Sequence, residues 1–158
     1  ARQFKPGDYV KLSSGEEGVV TDISWRTTTI RLLANNLVII PNAKLAGAII
    51  TNFQQPTSQM SFPVEVFISF KNDLAKVEAV TKEVAKAVLR DIPGGVAEVE
   101  PVVRFNAYLE TGIKIVVSFR INEFTDQFPI RHEFIKRLHQ RYHEEGIEFS
   151  NLVRGIIQ

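Results

Sequence analysis

Residues 37–53 read LVIIPNAKLAGAIITNF, and 12 of these 17 positions are Ala, Val, Ile, Leu, Phe or Gly. A membrane-spanning helix needs about 20 mostly apolar residues. Here Pro41, Asn42, Lys44 and Asn52 interrupt the run. Pro41 would also break a helix interior, since it has no amide hydrogen and its ring clashes with the preceding turn. The stretch therefore reads as a short buried strand over 37–40, a turn at Pro41-Asn42, one helical turn over 43–46, and a closing strand over 49–53. No other segment reaches spanning length without charge, so the chain is expected to be soluble.

The sequence upstream has the same character. Lys5-Pro6-Gly7-Asp8 signals a turn into Tyr9-Val10-Lys11-Leu12, and Ser13-Ser14-Gly15 signals another. Residues 18–25 (GVVTDISW) and 26–33 (RTTTIRLL) are β-branched runs with no helical period. Asn35-Asn36 suits a hairpin turn. About five short strands in residues 1–56 predict an all-β small barrel of the Sm or SH3 kind, with Phe4, Trp25 and Phe53 in its core. So small a barrel buries little surface, and no disulfide helps it. Its edge strands also carry unpaired backbone groups. Strand pairing between subunits into a closed ring would relieve both problems.

Residues 57–60 are taken as a linker, and residues 61–158 have a different rhythm. Phe62, Val64, Val66, Ile68 and Phe70 alternate as on a strand with one apolar face. Asn72 or Asp73 caps a helix in which Leu74, Val77, Val80, Val84 and Val88 recur at helical spacing. Val103, Phe105, Ala107 and Leu109 alternate again, and Glu110-Thr111-Gly112 turns into the alternation Ile113, Ile115, Val117, Phe119, Ile121. A second helix over 126–145 carries Ile130, Phe134, Leu138 and Tyr142 on one stripe, with Gly146 at its end. Ile147-Glu148-Phe149 supplies a short last strand. The order βαββαβ predicts an α+β, ferredoxin-like domain.

Composition narrows the function. The net charge of +1 on 158 residues supplies no global field toward nucleic acid or anionic membrane. Without cysteine there is no thiolate nucleophile, iron–sulfur cluster or Cys-type zinc site. The N-terminus, ARQFKPGDYV, has no Met and no signal core, as expected for part of a longer protein. His132, His139 and His143 fall within about 40° of one another on the second helix. However, position 136 is Lys, so no HExxH motif forms. The stripe lies away from the apolar face and is expected to be solvated. Glu16-Glu17 and Glu144-Glu145 lack the apolar setting that would make a general acid. No cofactor or metal is expected, and no enzymatic activity. A soluble Sm-like or plait module binding RNA is the alternative function. Against it, the outward positions Glu65, Phe67, Ser69, Lys114, Val116, Ser118 and Arg120 offer one aromatic and, with Arg104, only a mild basic patch.

FKPGDYVKL, GVVTDISWRTTTIRL and LVIIPNAKLAGAIITNF together resemble the cytosolic region of the small-conductance mechanosensitive (MscS-type) ion channel family. The resemblance rests on Pro6-Gly7-Asp8, Gly18-Val19-Val20, Arg26-Thr27-Thr28, Ile40-Pro41-Asn42 and Asn52-Phe53, in order and spacing. HEEGIEFS near the end fits the family's helix-Gly-Ile close, so nearly the whole chain is covered. The resemblance implies a homo-heptameric β ring beneath a pore, with a vestibule and side portals that filter ions and solutes. It implies a channel in the cell inner membrane that opens under tension in hypoosmotic shock, with this region facing the cytoplasm and no nucleic acid partner. The family's membrane helices are missing from this chain. Leu37, Val38, Ile39 and Ile40 are then expected to form the ring's pairing segment, with Pro41 and Asn42 fixing the turn. Gly7, Asp8, Gly18, Arg26, Thr27, Asn52 and Phe53 complete the set of motif and interface residues.

Overall fold

The computed structural model of the chain describes residues 3–151. The chain divides into two compact units, with the division between Ser58 and Gln59.

The first unit is built from β1 (Tyr9–Leu12), β2 (Glu17–Ile23), β3 (Thr27–Arg31), β4 (Leu37–Pro41), the one-turn helix α1 (Asn42–Leu45) and β5 (Ile50–Asn52). The strands form one antiparallel sheet in the order β4-β3-β2-β1-β5. Alternation turns Val10, Leu12, Val20, Ile30 and Ile40 into a common core, with Phe4, Ile23, Leu32, Val38, Leu45 and Ile50 packed against it. The β1 approach turns at Gly7 (φ 96°) and the β3–β4 hairpin at Asn35 (φ 74°), left-handed conformations that Gly and Asn tolerate best.

Two expectations fail here. The 37–40 segment is a strand but is not buried: Leu37 and Ile39 are 58% and 63% exposed, and only Ile40 is enclosed. The core packs against one face of the sheet, so the side chains that alternate to the other face of β4 are left exposed. Trp25 is not in the core but 84% exposed. β2 ends at Ile23 and β3 begins at Thr27, which puts Trp25 in the turn between them. Phe53 is partly buried, its ring edge-on to Tyr9 at 5.8 Å.

The second unit runs β6 (Met60–Ile68), α2 (Leu74–Asp91), β7 (Val102–Tyr108), β8 (Ile113–Ile121), a 3-10 turn (Phe124–Asp126) and α3 (Gln127–Glu145). Its antiparallel sheet has the order β6-β8-β7. Asp73 caps α2 by accepting from the amides of Ala75 and Lys76, and Gly146 (φ 69°) ends α3 in the left-handed region. The apolar stripes of both helices cover one sheet face. There Val77, Val88, Ile115, Phe119, Phe134 and Tyr142 are all fully enclosed. The short last strand shrinks to a single bridge, Ile68 to Phe149. Asn72 takes over part of its bonding. The Asn72 amide donates to the Glu148 carbonyl at 2.7 Å and accepts from the Glu148 amide at 2.9 Å.

Candidate functional site

Part of the sequence motif gathers into two polar clasps at the first unit's sheet. In the first clasp, Gly7 turns the chain so that the Asp8 carboxylate faces inward, where Asp8 is 2% exposed. That carboxylate accepts from the Lys5 amide and ammonium, both at 3.1 Å, and from Asn52 Nδ2 at 3.0 Å. Asn52 also donates to the Gln3 carbonyl and accepts from the Gln54 amide. The Phe53 amide donates to the Tyr9 carbonyl at 2.9 Å. Residues 44 positions apart are thereby tied together. Burial pushes the Asp8 carboxyl up, but the hydrogen bonds from Asn52 and Lys5 outweigh it and hold it below its ordinary value.

The second clasp is Asn42. Its Oδ1 accepts from Thr28 Oγ1 at 2.7 Å, its Nδ2 donates to the Ser24 carbonyl at 2.8 Å, and its amide donates to the Arg26 carbonyl at 2.8 Å. Thr28 is fully buried, so Asn42 supplies the partner its hydroxyl needs. Thr27 closes the same turn by donating its amide to Ser24 Oγ at 3.0 Å. Gly18 is required for space: a Cβ there would lie 2.2 Å from the Arg31 carbonyl oxygen. Gly7, Asp8, Asn52 and Phe53 thus meet in one cluster, and Arg26, Thr27 and Asn42 in another. Leu37, Val38, Ile39, Ile40 and Pro41 lie along β4. Sequence reasoning named Thr28 only within the Arg26-Thr27-Thr28 motif, since a β-branched run gives no sign of a buried hydroxyl. It also missed that Tyr9 donates to Glu17 Oε2 at 2.9 Å. Burial and the Glu17 carboxylate raise the Tyr9 phenol well above its ordinary value. Glu17 is thus a strand residue with a fixed partner.

β4 carries the sharpest surface feature. Val38 and Ile40 turn inward while Leu37 and Ile39 turn out. A strand apolar on both faces is the pattern of one covered on both faces. Its outer backbone edge is unpaired in the sheet.

Among the described residues the second unit holds no comparable constellation. His132, His139 and His143 are exposed, and His139 stacks on Phe149 with ring centroids 6.3 Å apart. Among the described residues no group of three His, Asp or Glu side chains is placed to hold a metal. The basic patch is occupied: Lys114 pairs with Glu65 at 3.1 Å, and Arg120 donates to Gln59 and Ser61. A cavity of about 540 Å³ lies beside β6 and α3, lined by Val64, Val66, Phe134, Leu138, His139 and Phe149 among others. The Tyr142 hydroxyl, bonded to Thr81 in the core, is pushed up to about 12 by burial. No described helix is long and apolar enough to cross a membrane.

Known proteins are similar to this chain in sequence and in fold. The family model for the mechanosensitive ion channel beta-domain matches residues 1–55. The model for the C-terminal region of the mechanosensitive ion channel MscS matches residues 63–149. The large-conductance mechanosensitive channel MscMJLR of Methanocaldococcus jannaschii is 26% identical over 155 residues, 94% of this chain and 42% of that protein. An uncharacterized MscS family protein of Buchnera aphidicola is 33% identical over 105 residues, 63% of this chain and 37% of its own. The chain thus spans less than half the length of these curated relatives. Among solved structures, closed-state MscS of Helicobacter pylori superposes with a TM-score of 0.75 at 21% identity, covering 96% of this chain and 58% of that one. MSL1 of Arabidopsis thaliana superposes with a TM-score of 0.68 at 16% identity, covering 94% and 51%.

Proposed function

The chain belongs to the mechanosensitive ion channel MscS family, and from that premise we propose that it is the cytosolic vestibule module of a tension-gated channel. In this reading the parent protein sits in the cell inner membrane and opens in hypoosmotic shock. This region faces the cytoplasm, assembles as a homo-heptamer and filters ions and solutes through side portals. It carries no catalytic activity, cofactor or nucleic acid.

The first unit acts as an Sm-like barrel whose β4 segment, with Leu37 and Ile39 outward, pairs with the next subunit. The second acts as a ferredoxin-like wall of the vestibule. Its order β6-β8-β7, with Phe149 bridging the free edge of β6, supports that reading. The Gly7, Asp8, Gly18, Arg26, Thr27, Pro41, Asn42, Asn52 and Phe53 set shapes the barrel that presents β4.

The observation that carries the assembly reading is the uncovered apolar face of β4 on a unit whose core is small. Multi-angle light scattering on the purified chain is expected to give a heptamer's mass, and Ile39→Lys is expected to reduce it to one chain. A monodisperse monomer at high concentration removes the reading. So would a parent reading frame without apolar segments of about 20 residues upstream of Ala1.

A further inference from the structure

Trp25 is the sole tryptophan of the protein, and the turn that carries it is fixed. Ser24 and Thr27 bond to each other through backbone and side chain, with distances of 2.8 to 3.1 Å. Asn42 grips both flanks, donating to the carbonyls of Ser24 and Arg26. The indole is therefore held out in water rather than left on a loop free to fold inward. The Arg26 guanidinium lies over its ring, 5.0 Å from the centroid, a cation–π contact.

The tip has a defined place on the sheet. Tyr9 stands opposite Val19, and the Gly7 amide donates to the Val20 carbonyl. Because β2 runs antiparallel to β1, its last residues and the turn lie at the end of the sheet where residues 3–8 enter. Ile23 accordingly lines the same cavity as Gln3, Phe4 and Lys5. In a channel whose spanning part precedes this region, that end faces the bilayer, and in this respect the inference rests on the function proposed above. Residues 1–56 carry six Lys/Arg against four Asp/Glu, so the unit has the sign that suits an anionic leaflet.

We propose that Trp25 and Arg26 form an anchor on the phospholipid surface, with the indole at the headgroup–acyl boundary and the guanidinium on lipid phosphates. Indoles favour that boundary because the ring is apolar and its N–H is polar. Arginine matches phosphate with its planar fork of donors. Holding both on a pinned turn lowers the entropy lost on docking.

Because the chain has one tryptophan, its emission reports this site alone. The chain is tethered by an N-terminal hexahistidine tag to vesicles of phosphatidylcholine, phosphatidylglycerol and a nickel-chelating lipid. Emission is expected to shift to the blue, brominated acyl chains to quench it, and aqueous acrylamide to lose access. Arg26→Gln is expected to lower the ratio of docked to free Trp25 about fivefold, the value of one basic residue at an anionic surface. Emission that stays red and open to acrylamide overturns the proposal. So does a blue shift that follows protein concentration without lipid, which would assign the tip to a contact between copies. Unchanged quenching in Arg26→Gln removes Arg26 from the anchor. A chain that is monomeric by light scattering yet lipid-quenched at Trp25 sinks the assembly reading and leaves the anchor standing.

Discussion

The two units of this protein hold themselves together by different means. Among the described residues, the second encloses 21 apolar side chains in one cluster and the first encloses five. At roughly 1.5–3 kcal/mol for each fully buried large side chain, burial contributes far more to the second unit than to the first. The first leans on its clasps, where Asp8, Asn42 and Asn52 bond to backbone and side-chain groups far apart in sequence. Both surfaces expose large apolar side chains, with Phe70, Tyr108 and Ile135 among those of the second unit. The second unit's helices carry ion pairs such as Arg137 with Asp91 and Glu133, and Arg141 with Glu83 and Glu145. The first unit displays Leu37, Ile39, Ile49 and Trp25 to water.

Substitutions in the two units should therefore act through different physics. Phe134→Ala empties a site that is fully enclosed and edge-on to Phe119 at 4.8 Å. It is expected to cost about 3–5 kcal/mol, read as a lower denaturant midpoint for the second unit by amide hydrogen exchange. A loss under about 1 kcal/mol would mean that its core is not packed as described. Gly18→Ala forces a methyl group against the Arg31 carbonyl and is expected to cost about 3 kcal/mol, with protection lost in β2 and β3. Asn42→Ala leaves the buried Thr28 hydroxyl without a partner, at about 1–3 kcal/mol. Its thermal unfolding should be restored in part by Thr28→Val in the same chain, and absence of that rescue would argue against the clasp.

Acid gives the smallest effect. Because the folded Asp8 pKa lies below its ordinary value, the carboxylate's contribution is full above about pH 3.9. It fades as pH falls through the lower folded value. Asp8→Asn is therefore expected to flatten the acid limb of the stability profile relative to the wild-type chain, as followed by circular dichroism.

Much of the fold was legible because the patterns are local. Alternation over 113–121, the valine stripe of α2, the Asp73 cap and the Gly146 stop all depend on neighbours within a few residues. The turns at Gly7 and Asn35 follow from side chains that tolerate positive φ. The motif residues were legible as a set, though not in their roles. Nothing in the sequence spacing tells that Asp8 meets Asn52, or that Asn42 reaches Thr28, because those bonds close loops of 44 and 14 residues. The failures have the same origin. LVII was read as buried because its composition is apolar, and Trp25 as core because aromatics usually are.

Residues 37–53 mark the boundary between the two kinds of information. The amino-acid order alone determined that this stretch is strand, turn and strand rather than a membrane helix, since Pro41 lacks an amide hydrogen and Asn42 interrupts the apolar run. It also determined the family signature. Only the tertiary structure decided that β4 lies at the sheet's edge and that the core covers one of its faces, leaving Leu37 and Ile39 on the other. Which strand ends a sheet is settled by pairing between distant segments, and no local pattern encodes it.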